Sequence, residues 1–220
     1  IRSLAKQCEI IRCQSGRSLI GDTARACKIS DCLIVLNQTS KKEGFYNVGG
    51  VANVLSDMSV VEQCFVTGEI KSTNGRVCFS SITANCNNST IRCCAFGVFK
   101  YDTLQTRGTS ILSLARRYGR IAAEIMDKSI LQNNIALDSH QGQSDAQGKD
   151  GKSVSDASFT QHYFENHLDW DFDTVWRWNS TLNRPQLQSV GVGATVKPVA
   201  PTQANTNDLL AQQISANIWL

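Results

Sequence analysis

Four cysteines near the start of the chain have residue types and a spacing that suit metal binding or disulfide formation. They form two pairs, Cys8 with Cys13 and Cys27 with Cys32. A structural zinc site usually holds such pairs on tight chelating turns, but strand-forming isoleucines lie in both gaps here. Each cysteine of the first pair lies nineteen residues before its counterpart in the second, a spacing that is typical of a repeated unit. We therefore interpret the cysteines as markers of repeat register and predict that they bind no zinc.

The repeated pattern extends well beyond these cysteines. Four segments each begin with a glycine at a bend, continue through a short apolar strand and a polar turn, and end in a second strand. The glycines are Gly16, Gly49, Gly75 and Gly119, and the second strands are marked by Cys32, Cys64, Cys93 and Asn133. In SVVEQCFV (59–66), Val60, Glu62, Cys64 and Val66 are predicted to share one face of a single strand. One such unit cannot bury its own inner face, so we expect the units to stack.

Stacking predicts an all-β fold, a right-handed β-solenoid (β-helix-like) of irregular repeats with a C-terminal aromatic cap. In this fold Cys13, Cys32, Cys64 and Cys93 would lie in one column, about 4.8 Å apart, with their side chains inward. Cysteine is among the most buried residue types, so we predict that these thiols act as small apolar core residues. The same spacing also permits disulfides between coils.

Composition divides the chain into regions. The predicted regions are β-solenoid repeats over 1–136, an exposed Gly-, Asp- and Ser-rich loop over 137–156, a C-terminal cap over 157–187, and a linker and tail over 188–220. In the cap, Trp170, Trp176 and Trp178 share one strand parity within HLDWDFDTVWRW. Buried against the last repeat, these rings would cover its open strand edge. An exposed aromatic platform for sugars is the alternative.

The glycine-led units and the closing stretch FTQHYFENHLDWDFDTVWRWNSTLNRPQL resemble a known family. A glycine followed by Gly or Arg and by apolar residues, and then a strand ending at Cys or Asn, is similar to the GLUG-type repeats of large bacterial surface proteins, adhesins and some secreted peptidases. The resemblance covers roughly residues 8–186, and Arg17, Arg76 and Arg120 stand where a second glycine is common. It implies an all-β solenoid in an exported, surface-attached context and carries no catalytic residues.

Charge and hydropathy limit the possible partners. The 220 residues carry a net charge of +3, and most basic residues are scattered singly, with Arg116–Arg117 as the only arginine doublet, so we expect no nucleic-acid binding. No run approaches the roughly 20 apolar residues of a membrane-spanning helix. The nine cysteines cannot all pair within one chain, so we expect at least one free thiol.

The sequence offers few catalytic or metal-binding constellations. It has no G-x-S-x-G, H-E-x-x-H or phosphate-binding glycine loop, so we predict no enzymatic activity, no metal and no cofactor. One alternative is a carbohydrate-active β-helix enzyme that uses Asp169, Asp171 and Asp173, which alternate along LDWDFD. A calcium site among the aspartates of 137–156 has less support, because their spacing does not match an EF-hand loop.

These patterns together favour a non-catalytic repeat region of an exported, surface-associated protein, located outside the cell or on its surface. Its role would be that of a spacer or of an adhesive binding surface for a glycan or protein ligand. An intracellular scaffold, which free cysteines would suit, is the third class of function.

Overall fold

The computed structural model describes residues 4–40, 44–72, 75–103, 119–139, 144–145 and 147–189. Most of these residues lie in β-strands, and the described part of the chain has one helix. The fold is therefore all-β, as predicted, and its large sheets are parallel. The predicted linker and tail lie, from residue 190 onward, outside the described residues. None of the described residues forms a helix with the length and apolar character that a bilayer crossing requires.

Three parallel sheets form the body of the protein. The first contains, in spatial order, β1 (Leu4–Lys6), β4 (Ile20–Arg25), β8 (Ala52–Ser56), β12 (Thr83–Asn87) and β15 (Ala122–Met126). The second contains β2 (Glu9–Ile11), β5 (Lys28–Ser30), β9 (Val60–Glu62), β13 (Thr90–Arg92) and β16 (Ile130–Gln132). The third contains β3 (Gln14–Ser15), β6 (Leu33–Ser40), β10 (Phe65–Ser72), β14 (Ala95–Thr103), β17 (Ile135–Leu137) and β18 (Lys152–Val154).

The order of strands in the sequence matches their order in the sheets. The chain passes through the first, second and third sheets in turn and does so five times, so each round adds one strand to each sheet. After the fifth round, β18 adds one more strand to the third sheet. Between rounds, β7 (Gly44–Gly49) and β11 (Gly75–Ser80) form a separate parallel pair.

Left-handed backbone conformations mark the turns from the second sheet to the third. The residues at these turns have φ values between 50° and 53° and are Arg12, Asp31, Gln63, Cys93 and Asn133. Each of them follows a short strand by one residue and redirects the chain into the next sheet. A left-handed bend at this corner therefore recurs in every round.

The bend at Gln63 divides the predicted strand over 59–66 into two. β9 ends one residue before it and β10 begins two residues after it. As a result Val61, Cys64 and Val66 are buried in the main core, whereas Val60 and Glu62 are half-buried. The single inner face predicted for 59–66 is therefore wrong, because the alternation of side chains does not continue across a bend.

The main core collects side chains from all three sheets. Ile20 from the first sheet, Ile29 from the second and Ile34 from the third are fully buried in one cluster. Later rounds repeat this arrangement with Leu55, Val61, Val66, Cys86, Ile91, Phe96, Leu131 and Ala136. A single round has no second layer to pack against, so the core becomes continuous only through stacking.

The region over 137–156 is partly buried, although the sequence predicts an exposed loop. β18 lies within it, and Asp150, Gly151 and Val154 are buried. The cause is Arg120, which has a buried guanidinium. Its Nε–H donates to the main-chain oxygen of Asp150 and its Nη2–H donates to the main-chain oxygen of Gly151, both at 2.9 Å. This cation holds the region against the start of the fifth round.

The C-terminal segment (157–187) contains a helix and a hairpin. Helix α1 (Gln161–Leu168) is capped by the side chain of Thr160 and ends at Asp169, which has a left-handed backbone. Turns follow until the two hairpin strands, which are antiparallel β19 (Trp176–Asn179) and β20 (Arg184–Leu187). The strand parity predicted for the aromatic and acidic residues of this segment is therefore wrong before β19, because turns occupy that stretch.

Candidate functional site

Cysteines form a column at the turns that lead into the third sheet. Cys13, Cys32, Cys64 and Cys94 occupy equivalent positions in consecutive rounds. The residue that follows Cys32, Cys64 or Cys94 donates its N–H to the carbonyl oxygen of the column cysteine one round earlier, in each case at 2.9 Å. Those three are fully buried, and Cys13 is half-buried in the first round. The column exists, but its fourth member is Cys94 and not the predicted Cys93.

Cys93 occupies the left-handed position just before the column. Its side chain is half-buried and packs with a second apolar cluster, outside the main core. The sequence places two cysteines side by side, and only the location of the bend decides which of them points inward. The bend falls at Cys93, so Cys94 enters the core.

Each thiol of the column also closes its own turn. The Sγ atoms of Cys13, Cys32, Cys64 and Cys94 donate to the carbonyl oxygen two residues earlier, at 3.1–3.5 Å. In the fifth round Asn134 takes this position. Its Oδ1 accepts the N–H of Cys94 at 3.0 Å, and its Nδ2 donates to the oxygen of Ile91 at 2.9 Å. These side chains therefore satisfy backbone groups at buried turns, which an apolar residue could not do.

Two of the predicted bend glycines are required by their surroundings. A Cβ added at Gly49 or Gly119 would lie 1.9 Å from the carbonyl oxygen three residues later. At Gly16 the nearest atom to such a Cβ is 4.0 Å away, so a side chain fits there. Backbone crowding explains the first two glycines and not the third.

Gly75 is not equivalent to Gly49, although the sequence pattern aligns them. In the pairing of β11 with β7, Gly75 lies opposite Gly44, and Ser80 lies opposite Gly49. The predicted equivalence is wrong because β7 and β11 are extra strands that lead into the rounds.

The C-terminal segment packs on the side of the sheet stack and not over its end. Its buried aromatic rings join a second apolar cluster with residues of the third sheet, namely Leu33, Phe65, Ala95 and Ile135. These four residues are neighbours in register and come from the second to the fifth round. The prediction of a cap over the last round is therefore wrong. Strand alternation gives the third sheet an apolar outer face, and the segment covers that face.

The three tryptophans predicted to be structural differ in burial. Trp176 is fully buried, Trp170 is 3% exposed, and Trp178 is half-buried. Trp170 and Trp176 stack with ring centroids 4.4 Å apart, and Phe164 packs edge-on to Trp170 at 4.8 Å. Because Trp170 and Trp176 are enclosed, they offer no face to a sugar and do not form the alternative aromatic platform.

A polar cleft of about 250 Å³ lies where the hairpin meets the first two rounds. Its lining residues are Gln14, Leu33, Arg177, Arg184, Gln186, Leu187 and Gln188. Two of them are cationic and none is acidic, so the cleft favours an anion. We take this cleft as the candidate binding site.

Arg184 is the half-buried cation of the cleft. Burial lowers the pKa of its guanidinium. Its Nε atom is buried and has no hydrogen-bond partner within the described ranges of the chain. Burial makes the charged guanidinium less favourable, and an anionic ligand in the cleft would offset this effect.

Sequence reasoning did not find this cleft. Gln14 lies in the first round and Arg184 in the hairpin, and no local motif connects them. They come together only because the C-terminal segment returns along the third sheet to the start of the stack. No signal in the sequence indicates that path.

The aspartates considered for catalysis do not share a strand face. Asp169 ends helix α1, and Asp171 lies in a turn. The Oδ1 of Asp171 accepts the N–H groups of Asp173 at 2.9 Å and Thr174 at 2.8 Å. Hydrogen bonds from Thr174 contribute most to lowering the pKa of the Asp171 carboxyl. This carboxylate is engaged in holding a turn.

The aspartates of the region over 137–156 have structural contacts. The Oδ1 of Asp150 accepts the N–H of Arg120 at 3.0 Å, and the Oδ1 of Asp145 accepts the N–H of Gln147 at 2.9 Å. Across the described ranges, no group of three or more His, Cys, Asp or Glu side chains is arranged to hold a metal ion. The described residues of this region therefore offer no ligand set for the calcium alternative.

Function has to be inferred from the chemistry of the cleft and of the cysteine turns. The resemblance to GLUG-type repeats stays a prediction. No protein-family model, curated protein or solved structure matches this chain.

Proposed function

We propose that the chain is a right-handed β-solenoid and a non-catalytic repeat region of an exported, surface-associated protein. The repeated passage through three parallel sheets supports the solenoid, and connections between parallel strands are almost always right-handed. The GLUG-type resemblance supports the exported context. Stacked coils with a continuous core make a stiff body, which suits a spacer.

The cleft at Arg177 and Arg184 supplies the adhesive surface of this spacer. The observation that carries the proposal is its lining of guanidinium and amide groups. These groups bind anions and hydroxyls, and they are neither nucleophiles nor general bases near neutral pH. A guanidinium matches a carboxylate or sulfate with two parallel hydrogen bonds, and the amides of Gln14 and Gln186 suit sugar hydroxyls. The ligand is therefore an acidic glycan that carries uronate or sulfate groups.

Titration calorimetry with three oligosaccharides tests this function. We expect an oligogalacturonate or a heparin-derived fragment to bind, with an affinity that falls as salt rises, and a neutral cello-oligosaccharide not to bind. Arg184→Gln should weaken binding by about tenfold or more, because it removes a charged hydrogen-bond donor. Arg92→Gln is the matched control, since Arg92 lies on the second sheet and pairs with Glu62.

Two results would count against the proposal. Equal binding of acidic and neutral sugars would remove the role of the guanidinium groups. Equal losses in Arg184→Gln and Arg92→Gln would place the binding surface elsewhere. Shortening of the bound oligosaccharide would instead identify a carbohydrate-active enzyme.

A further inference from the structure

A second pair of thiols lies at the turn between the first and second sheets. Cys8 and Cys27 follow the left-handed residues Gln7 (φ 46°) and Ala26 (φ 52°) in consecutive rounds. The N–H of Lys28 donates to the oxygen of Cys8 at 2.9 Å, which makes the two cysteines direct neighbours. Their Sγ atoms are 3.3 Å apart. The two sulfurs are in contact without being bonded.

We propose that Cys8 and Cys27 form a reversible disulfide that covalently joins the first and second rounds. Neighbouring strands lie about 4.8 Å apart, which falls within the Cα separation of about 4.4–6.8 Å that disulfides span. The sulfurs must approach to about 2.05 Å, and rotation of the two side chains supplies this movement. This inference does not depend on the ligand of the cleft.

Exposure distinguishes this pair from Cys32, Cys64 and Cys94 of the cysteine column, whereas Cys13 is half-buried, as Cys8 is. Cys32, Cys64 and Cys94 are fully buried in the core, so a reagent in solution cannot reach their sulfurs. Cys8 is half-buried and adjoins the nearly buried Cys27, which is 2% exposed. A small oxidant therefore reaches the pair through Cys8.

The next residue in this turn column limits the reaction to one pair. Ser59 takes the equivalent position in the third round, and its Oγ accepts the N–H of Cys27 at 3.1 Å. Its main-chain oxygen continues the column by accepting the N–H of Thr90 at 2.8 Å. A serine cannot form a disulfide, so Cys8 is the neighbour with which Cys27 can bond in this column.

The two thiols differ in acidity in a way that suits an intramolecular attack. The hydrogen bond from Cys8 lowers the pKa of Cys27 to about 6, although burial acts in the opposite direction. The same contact raises the pKa of Cys8. The contact therefore favours the thiolate form of Cys27, which suits the role of the resolving nucleophile.

The oxidant is a low-molecular-weight disulfide, RSSR, such as oxidised glutathione. Cys8 loses its proton and its thiolate attacks one sulfur of RSSR, so that the Cys8–S–S–R bond forms and one RS⁻ leaves. The Cys27 thiolate then attacks the sulfur of Cys8, forming the protein disulfide and releasing the second RS⁻. The protein loses two electrons, and RSSR gains them to become two thiols with the protons released.

Peptide mapping of the full chain tests the disulfide. The protein is incubated with oxidised glutathione, its free thiols are alkylated, and it is digested with trypsin. We expect a cross-link between the peptides QCEIIR (7–12) and ACK (26–28). The Tm of the oxidised protein should rise by on the order of 5 °C and return after reduction, because the bond closes a loop of the unfolded chain.

Serine variants make the result specific. Cys27→Ser should abolish both the cross-link and the rise in Tm, and serine is compatible with this turn because Ser59 occupies it one round later. Cys13→Ser, which changes the other half-buried cysteine of the first round, should keep both effects. A cross-link between CQSGR (13–17) and the peptide of Cys32, a link between two chains, or a lasting glutathione adduct on Cys8 would overturn the proposal.

Discussion

The indole Nε1 of Trp170 donates a hydrogen bond of 2.8 Å to the main-chain oxygen of Cys93. Cys93 lies at the left-handed turn of the fourth round, so this bond attaches the C-terminal segment to the corner between two sheets. Gln63 makes a matching contact in the third round, where its Nε2 donates to the oxygen of Asp169. The segment is therefore attached to the backbone of the turns as well as to the apolar outer face of the third sheet.

Loss of the Trp176 ring should strongly destabilise the protein. Trp176 is fully buried in the second apolar cluster, so we expect Trp176→Ala to lower the free energy of unfolding by about 3–5 kcal/mol. Leu182→Ala is the control, because Leu182 is 50% exposed, and its effect should stay within about 0.5 kcal/mol. Urea unfolding measures both. Equal effects of the two variants would show that the segment does not stabilise the sheets.

The two glycine environments predict opposite responses to alanine. Gly119→Ala places a Cβ against the oxygen of Ala122, so the backbone must shift, at a cost of about 1–3 kcal/mol. Gly16→Ala meets open space and should be neutral within about 0.5 kcal/mol. Thermal unfolding of the two variants compares the effects directly. A larger loss at Gly16 would contradict the crowding argument.

The contribution of Asn134 to stability should come from its two hydrogen bonds to the backbone. Asn134→Ala leaves the N–H of Cys94 and the oxygen of Ile91 buried without that partner, which should cost about 2–5 kcal/mol in total. Asn134→Cys introduces the residue type of the earlier rounds and should cost less, because the thiols of Cys32 and Cys94 lie 3.8 Å from the oxygens that are equivalent to that of Ile91. Denaturant midpoints of the two variants decide. If cysteine were no better than alanine, the turn-closing role of the column thiols would be wrong.

The Asp31 carboxyl should make the free energy of unfolding depend on pH. Burial raises the pKa of the Asp31 carboxyl, and the nearby Trp176 indole and Arg12 guanidinium oppose that rise, while Glu62 and Asp171 add to it. The folded state therefore binds this proton more tightly than the unfolded state does. Consequently the free energy of unfolding falls as pH rises from about 3.9 through the folded pKa.

Asp31→Asn removes this titration and isolates its effect. Relative to the unchanged protein, the variant should gain stability as pH rises through that window. Urea midpoints of both proteins at several pH values measure the difference. A constant difference across the window would show that Asp31 does not carry the effect.

The all-β class and the stacking of Cys13, Cys32 and Cys64 were predictable, because both depend on local patterns. The positions of the bends were not. Arg12, Asp31, Gln63, Cys93 and Asn133 share a left-handed backbone but no chemical type, so composition does not reveal them. A one-residue error in the bend then assigned Cys93 to the column in place of its neighbour.

The position of the C-terminal segment depends on long-range packing. The alternation of aromatic and acidic residues around Trp170 resembles a strand, and only the outer face formed by Leu33 and Phe65 gives the rings a place to pack. The cleft depends on that placement, so the sequence did not predict the cleft either. The exported context and the GLUG-type resemblance depend on sequence alone and stay predictions.

The contacts of the C-terminal segment with several rounds determine how the protein bears mechanical tension. A stack in which each round touches only its neighbours opens one round at a time when its ends are pulled apart. Here the segment packs against residues of the second to the fifth round, among them Phe65 and Ile135. Separating any two of these rounds also requires peeling the aromatic rings from the third sheet. The sheet hydrogen bonds and the ring contacts of these four rounds then share the load, so we expect the four rounds to separate together and at a higher force than the sheets alone would need.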